Sequence, residues 1–206
     1  MTYSKRSLAP RPAEGEVRVQ VETVALSALG TQLAGTVDAV ARDSIGFARG
    51  DRVAFRSDKP RTGRLIVPER DLMGVPSDVS LDDAAGLFPC ALLARTVTRQ
   101  VHTVGSGDRV TVQDVSALAP FIRAWVAHLG GTLVDDGAEV TVTTTDIRTA
   151  RAWKPAHGTA QQAAADVFAA IRAGAFDSIG FSTPEEARGG SRSPVLLHPT
   201  EVTLAA

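Results

Sequence analysis

The sequence is poor in cysteine and in long apolar runs, and each shortage excludes a class of protein. Its single cysteine, Cys90, excludes an internal disulfide and any metal site built from several cysteines. No apolar run reaches the roughly 20 residues of a membrane span, and the first residues lack the apolar core of a signal peptide. We therefore expect a cytoplasmic protein with no membrane partner.

Net charge is also nearly absent. The sequence has 22 Lys and Arg residues against 23 Asp and Glu residues, so its formal net charge is −1. Such a chain has no electrostatic reason to bind nucleic acid or an acidic membrane surface, and we expect neither. Lysine is scarce and arginine abundant, a bias that is typical of a GC-rich bacterial genome.

The first half of the chain has the pattern of a small antiparallel β-barrel. Residues 15–25 alternate valine with polar side chains, and this two-residue period predicts a half-buried strand. Residues 34–41 and 63–67 predict two more strands, and residues 47–55 predict a turn that leads into another. Glycine, aspartate and proline separate these short strands, which favours a barrel.

The second half has the pattern of an α/β layer. Ser80 predicts a helix N-cap, and residues 91–101 predict a helix after an interruption at Pro89. A strand, a helix and a second strand are predicted next. A right-handed crossover through the helix would make these two strands parallel. The predictions from there to the last strand are, in order, strand 108–112, helix 118–129, strand 132–135, strand 139–145, loop 148–159, helix 161–173 ending at Gly174, and strand 194–197.

The turn after the predicted strand 108–112 is the most informative feature of the sequence. In a dinucleotide-binding unit this strand-to-helix turn carries glycines, which let the backbone close on a pyrophosphate at the helix N-terminus. Here residues 113–120 contain no glycine, and Asp114 adds a carboxylate of unfavourable charge. The turn therefore predicts that NAD(P)H is not bound tightly, and we expect no cofactor.

Four groups of segments carry a family resemblance. They are residues 15–21, residues 34–40 with 46–53, residues 67–85 with their prolines and acidic helix start, and residues 107–112. Together and in this order they resemble the medium-chain dehydrogenase/reductase superfamily, particularly its quinone-oxidoreductase and enoyl-reductase branch. The resemblance implies a mixed α/β fold, with a GroES-like antiparallel β-barrel and a reduced Rossmann-like α/β layer. It implies a barrel domain of residues 1–104 with 180–206, and a truncated Rossmann-like domain of residues 105–179.

The sequence departs from the superfamily in three ways. Almost nothing lies between Gly30 and Ala34, where the superfamily carries a long loop over its active site, and the zinc ligands of that loop are not found. Several β–α units that the resemblance implies after Asp136 are not found either. Leu93-Ala94 stands in place of a Thr-Ala pair, which removes a hydroxyl that commonly faces the cofactor. These departures indicate a widened cleft on a scaffold without hydride transfer.

The substrates that the resemblance implies are often enones, quinones and polyketide intermediates. We therefore expect a cofactor-independent cyclase or pericyclic-type rearrangement catalyst that acts on a large apolar polyketide-like intermediate in natural-product (antibiotic) biosynthesis. Two alternatives stay open: an NAD(P)H-dependent quinone or enone oxidoreductase, and a non-catalytic ligand-binding protein. A homodimer is a further expectation, because trimmed sheets leave open edges.

Five residues are candidates for the site. Asp114 is the candidate acid that polarises a carbonyl, because it follows the first strand of the α/β layer; the alternative is an N-cap of the next helix. Trp153 is a candidate wall for an apolar ligand, and Tyr3 a candidate lid. Cys90 and Leu93 are candidate ligand contacts on the helix that faces the cleft, although a core role is the alternative for Cys90. No metal site is expected.

Overall fold

The computed structural model describes residues 11–113, 115–154, 157–188 and 193–197. Its strands are β1 (Glu16–Ser27), β2 (Gly30–Val40), β3 (Arg52–Ser57), β4 (Gly63–Pro68), β5 (Met73–Gly74), β6 (Arg109–Val112), β7 (Thr132–Leu133), β8 (Val140–Val142) and β9 (Val195–Leu197). Its helices are α1 (Leu81–Gly86), α2 (Phe88–Thr96), α3 (Ala119–His128), α4 (Thr144–Ala152), α5 (His157–Arg172) and α6 (Pro184–Arg188). A π-helical turn, Val97–Val101, continues α2.

Strands β1 to β5 and β9 form an antiparallel sheet in the order β4-β1-β2-β3-β5, with β9 paired to β1 as well. Val17, Val19 and Val21 are buried on one face of β1, as the alternation predicts. The register between β1 and β2 shifts between Val21 and Thr23. This irregularity moves the alternation by one residue, so Val24 joins the same apolar cluster.

The connection between β1 and β2 is as short as the sequence indicates. Ser27 pairs with Gly30, which leaves Ala28 and Leu29 as a two-residue turn. Further along, the two strands approach closely at Gly35, where an added Cβ would overlap the carbonyl oxygen of Gln20. A side chain at this position would therefore push the two strands apart.

Strands β6, β7 and β8 form a separate parallel sheet in the order β7-β6-β8. Helix α3 connects β6 to β7, so the predicted β-α-β unit and its parallel strands are confirmed. Trp125 of α3 is buried and lies 5.9 Å from Phe176, ring centroid to ring centroid. The antiparallel sheet and this parallel layer confirm the mixed α/β fold.

The secondary structure predicted between residues 139 and 159 is partly wrong. Strand β8 ends at Val142, and the predicted loop is occupied by α4 and the start of α5. Thr143 and Asp146 form a capping box, in which the Thr143 N–H donates to Asp146 Oδ2 at 2.7 Å. This cap begins a helix in spite of the β-branched run, because it satisfies backbone groups that a helix start leaves open.

Two other helix ends are confirmed. Ser80 is the N-cap of α1, and its hydroxyl accepts the Asp83 N–H at 2.9 Å. Gly174 follows α5 with a φ of 74°, the left-handed conformation that a C-terminal glycine supplies.

Candidate functional site

A cleft of about 820 Å³ lies between the antiparallel sheet and the helices. The β1–β2 turn and β3 contribute to one side, and α2, α4 and α5 contribute to the other. Most of the residues that line it are apolar, and the larger ones are Leu29, Phe55, Met73, Phe88, Leu92, Leu93 and Trp153. The volume lies within the roughly 300–1,000 Å³ that is usual for small-molecule sites.

Trp153 is a residue of the cleft wall. It directly follows α4, and its backbone N–H donates to the Ala150 carbonyl at 3.3 Å. The end of a helix, rather than a loop, therefore fixes where this indole lies. That Trp153 contacts a ligand stays a prediction, but its half-buried ring is placed to do so.

Helix α2 presents Phe88, Leu93 and Thr96 to the cleft. The Phe88 ring stacks on Phe168 of α5 with 4.6 Å between ring centroids, which holds the two helices together beside the cleft. The Thr96 hydroxyl donates to the Leu92 carbonyl at 2.8 Å. Leu93 has no hydroxyl where the superfamily commonly has a threonine. The Thr96 hydroxyl does not replace it, because that hydroxyl already donates to a backbone carbonyl of its own helix.

The polar side chains of the cleft wall are Gln32, Arg56, Asp71 and Arg151, besides Thr96. Gln32 of β2 and Arg56 of β3 are directly paired across the sheet. Among the described residues, neither Arg56 nor Arg151 has a carboxylate within ion-pair distance. Asp71 has only the exposed Arg70, at 3.9 Å. The cleft therefore combines apolar walls with two available guanidinium groups.

Cys90 lies in the core and is not one of the cleft-lining residues; only 1 % of its surface is exposed. Burial raises the pKa of the Cys90 thiol to about 11, although a hydrogen bond from Ser27 and the charge of Arg151 oppose the shift. A thiol in this state is a small apolar packing group and a poor nucleophile. This placement corresponds to the core alternative that the sequence left open.

Asp114 and Tyr3 lie outside the described residues, so their predicted roles stay predictions. The rest of the turn after β6 is described: Val115 and Leu118 are buried in the core, and Pro120 stands in the first turn of α3. A pyrophosphate needs backbone N–H groups that glycines leave accessible. Residues 113–120 contain no glycine, so the turn does not fit a dinucleotide in the manner of a glycine-rich turn.

An ion pair joins α2 to α5 beside the cleft. Arg95 Nε and Nη2 donate to Asp166 Oδ2 at 3.0 and 2.6 Å, and Gln162 donates to Asp166 Oδ1 at 2.8 Å. Burial raises the pKa of Asp166, but these hydrogen bonds and the charge of Arg95 outweigh burial and lower it. The pair positions α5, which carries Ala160 and Ala163 of the cleft wall.

A second contact fixes the start of α4. His102 Nε2 lies 3.2 Å from Asp146 Oδ1, outside the alignment of a hydrogen bond. Burial raises the pKa of Asp146, but the hydrogen bonds from Thr143 and the nearby His102 outweigh burial and lower it. The part of the chain that the structure describes contains no group of three His, Cys, Asp or Glu side chains placed to hold a metal ion. None of its helices has the length and apolar character needed to cross a membrane.

The antiparallel sheet and the small parallel sheet with its helices form the fold of solved medium-chain dehydrogenases and reductases, so the predicted resemblance is confirmed. Among solved structures, a 2-haloacrylate reductase is 26 % identical with a TM-score of 0.52, over 69 % of this chain and 48 % of that one. The Escherichia coli quinone oxidoreductase complexed with NADPH is 19 % identical with a TM-score of 0.51, over 69 % and 49 %.

A third similar structure is the CurF ER cyclopropanase from the curacin A biosynthetic pathway. It is 17 % identical with a TM-score of 0.54, over 77 % of this chain and 64 % of that one. This chain spans about half the length of the two reductases, and at these identities the two more distant structures show the fold alone. No family profile matches the sequence, and no curated protein matches it either.

Sequence reasoning missed all five polar residues of the cleft: Gln32, Arg56, Asp71, Thr96 and Arg151. The second strand was predicted to begin at residue 34, whereas β2 begins at Gly30 and includes Gln32. Arg151 was assigned to a loop, and the signal that could have placed it in a helix is the Thr143-x-x-Asp146 capping pattern. No sequence signal pairs Gln32 with Arg56, because the register of two strands brings them together.

Proposed function

We propose that the cleft binds a large, mainly apolar small molecule and catalyses its ring closure or rearrangement without a cofactor. The observation that carries this proposal is a cleft of about 820 Å³ with mostly apolar walls, in a chain whose strand-to-helix turn after β6 has no glycine to receive a pyrophosphate. A pericyclic ring closure redistributes bonds within one molecule and keeps all of its atoms, so it needs no hydride and no leaving group. Holding a flexible chain in its reactive conformation therefore accelerates such a reaction directly.

The residues of the cleft suit this chemistry. Trp153, Phe88 and Leu93 offer flat or branched apolar surface against which a folded hydrocarbon chain packs. A guanidinium N–H of Arg56 or Arg151 can donate to a ligand carbonyl and so polarise the alkene conjugated with it. The fold similarity to a cyclopropanase is compatible with a ring-forming role but does not establish one.

The first test is a titration of the protein with NADPH and with NADH, in which binding is measured by calorimetry and by tryptophan fluorescence. We expect no binding at millimolar cofactor, because the turn after β6 lacks the glycines that let a backbone approach a pyrophosphate. Micromolar binding with reduction of an enone would overturn the proposal and favour the oxidoreductase. The similarity to a quinone oxidoreductase complexed with NADPH makes this the main competing hypothesis.

The second test is incubation with linear trienes that carry a conjugated carbonyl, with no cofactor added. Ring closure gives a product of unchanged mass, whereas reduction adds two hydrogen atoms, so mass spectrometry separates the two activities. Trp153→Ala and Arg151→Ala should lower the rate of isomer formation. Arg148→Ala is the matched control, because Arg148 lies on the same helix and is not a cleft residue. A ligand-dependent rise in melting temperature without product would instead indicate a binding protein.

A further inference from the structure

Positive charge is concentrated in two segments that border the cleft. Residues 52–64 and 147–154 together hold eight Lys and Arg residues and one acidic residue, which leaves 14 against 22 in the rest of the sequence. Each segment reaches the cleft wall, at Arg56 in β3 and at Arg151 in α4. A chain whose formal net charge is −1 therefore has a local excess of positive charge on both sides of its cleft.

Four exposed side chains form a surface at the mouth of the cleft, the cationic rim: Arg56, Lys59, Arg151 and Lys154. The Ser57 hydroxyl donates to the Lys59 carbonyl at 2.8 Å, which keeps Lys59 beside the end of β3. Lys154 directly follows Trp153 of the cleft wall. Among the residues that the structure describes, no carboxylate lies within ion-pair distance of any of the four.

Nearby acidic side chains do not neutralise the cationic rim. Asp71 of the cleft wall has Arg70 at 3.9 Å, and Asp58 is an exposed residue next to Lys59 in the chain. The four cations therefore outnumber the carboxylates beside them. Like charges around one cleft repel each other, and the protein gains no ion pair in return. An anionic partner at the mouth of the cleft would remove this repulsion.

We propose that the cationic rim is a docking surface for a partner protein with an acidic face, which covers the mouth of the cleft when it is bound. Carboxylates of the partner pair with Arg56 and Lys59 on one side of the cleft and with Arg151 and Lys154 on the other. The surface also attracts the partner before contact, because exposed charges act over roughly 8 Å at physiological salt. The inference goes beyond the proposed function and does not depend on ring closure, since docking needs only the surface.

An acidic protein fits this surface better than a nucleic acid or a membrane does. The rest of the chain has 22 acidic residues against 14 basic ones, so a long polyanion would be repelled where it extends beyond the cationic rim. A compact acidic face of the same size as the rim avoids this repulsion. Membrane binding by a basic surface is strengthened by exposed apolar side chains. In the described part of the chain the exposed large hydrophobic residues are Ile45 and Leu133, and both lie outside the cationic rim.

The test compares two synthetic helical peptides, one with four glutamates along one face and one with glutamines in their place. At low ionic strength we expect the full-length protein to bind the glutamate peptide about 3- to 10-fold more tightly, the ratio expected for several exposed ion pairs. Roughly 0.5 M salt should abolish this preference. Equal binding of the two peptides at low ionic strength would overturn the docking surface. Tighter binding of a single-stranded oligonucleotide of the same charge, or of phosphatidylglycerol vesicles, would overturn the assignment to an acidic protein.

Crosslinking locates the bound peptide. The sequence has three lysines, Lys5, Lys59 and Lys154, and two of them belong to the cationic rim. A carbodiimide joins a carboxylate to a neighbouring amine as an amide and takes up the water that is lost. We therefore expect the glutamates of the peptide to be joined to Lys59 and Lys154. Crosslinks to Lys5 or to the N-terminal amine alone would overturn the location.

Tryptophan fluorescence shows whether the bound peptide covers the cleft. The sequence has two tryptophans, and Trp125 is buried, so quenching by acrylamide reports mainly on Trp153 of the cleft wall. The glutamate peptide should lower this quenching, because it limits access to the mouth of the cleft. Binding of the peptide with unchanged quenching would mean that it lies elsewhere on the protein.

Variants separate the cationic rim from net charge. Lys59→Gln with Lys154→Gln should remove most of the preference for the glutamate peptide, because two of the four cations are lost. The control is Arg42→Gln with Arg49→Gln, which removes the same charge from exposed positions beyond the end of β2 opposite Gly30 of the cleft wall. The control should bind the peptide within about twofold of wild type, since distant exposed charges are screened. Equal weakening by both double variants would mean that net charge alone attracts the peptide and would overturn the proposal.

Discussion

Cys90 and Gln32 are both buried close to the cleft, yet only Gln32 lines it. Cys90 is surrounded by the apolar residues of the main core, where burial keeps its thiol protonated. Gln32 is placed by the alternation of β2 on the face of the sheet that the helices cover incompletely. Cys90 therefore packs in the core, whereas Gln32 is a residue of the cleft wall.

The reactivity of Cys90 tests its placement. We expect the native protein to react very slowly with a thiol reagent at neutral pH, because the group is buried and its pKa is raised to about 11. The rate should increase only as the pH approaches that value, and the urea-unfolded chain should react at the rate of a small thiol. Rapid labelling of the folded protein at neutral pH would mean that the thiol is accessible and ionised.

Helices α4 and α5 form the side of the cleft that sequence patterns described least well. The capping box of Thr143 and Asp146 determines where α4 begins, and therefore where Arg151 and Trp153 lie. The ion pair between Arg95 and Asp166 connects α2 to α5. Both contacts use an aspartate whose pKa is lowered in the folded protein, so both link the stability of these helices to pH.

Asp146→Asn should destabilise the protein by about 1 kcal/mol at neutral pH, as expected for the loss of a good cap. The pKa of Asp146 is lower in the folded state than the roughly 3.9 of an unfolded chain. The stability that the Asp146 carboxylate contributes is therefore fully present at a pH above its pKa in the unfolded chain. It is lost as the pH falls through its lower pKa in the folded protein. Urea denaturation at a series of pH values measures this difference. Thr145→Ala, at an exposed position of the same helix, is the control. If the stability difference between wild type and Asp146→Asn grew in acid, the role of the Asp146 carboxylate as a cap would be contradicted.

Asp166→Ala should destabilise the protein by about 1–3 kcal/mol, because it leaves the Arg95 guanidinium buried without its carboxylate. The low end of that range applies if water reaches the position, since the Asp166 side chain is 38 % exposed. Gln162→Ala keeps the ion pair and should cost much less. The double variant Arg95→Met with Asp166→Ala should recover part of the loss, since no unpaired charge remains. Denaturation midpoints measure all three, and no recovery would indicate that Arg95 acts through packing alone.

At the scale of the whole molecule, the cleft exists because two layers meet without filling the space between them. The short β1–β2 turn places no long loop there, and both of its residues, Ala28 and Leu29, line the cleft. The apolar clusters on the two faces of the antiparallel sheet hold it in position, and one of these clusters extends through the helices to the parallel sheet. The cleft is thus a property of the assembled layers and of no single element.

We expect the protein to form a homodimer through the edge of the parallel sheet. In the described part of the chain, β7 and β8 are the outer strands of this sheet, and Leu133 of β7 is 42 % exposed. Leu133→Arg should therefore shift the protein toward monomer in analytical ultracentrifugation. Ile45→Arg is the control, because Ile45 is 99 % exposed and belongs to neither sheet. A monomeric wild-type protein would refute the expectation.

Local patterns predicted many elements and failed where two local signals compete. The valine alternation of β1, the Ser80 cap and the Gly174 helix end act within a few residues, so the sequence shows them directly. Between residues 143 and 152 the β-branched residues favour a strand and the capping pattern favours a helix. The cap prevails, because it satisfies backbone groups that a short β-branched run cannot pair by itself.

The sequence by itself determined the fold class, the β-α-β unit with its parallel strands, and the turn without glycines after β6, because each depends on residues that are neighbours along the chain. Only the tertiary structure decided which side chains line the cleft. Gln32 and Arg56 meet through the register of β2 and β3, and Trp153 and Arg151 join them at the end of α4. These positions are distant in sequence, and packing between layers, which no local pattern encodes, brings them to one site.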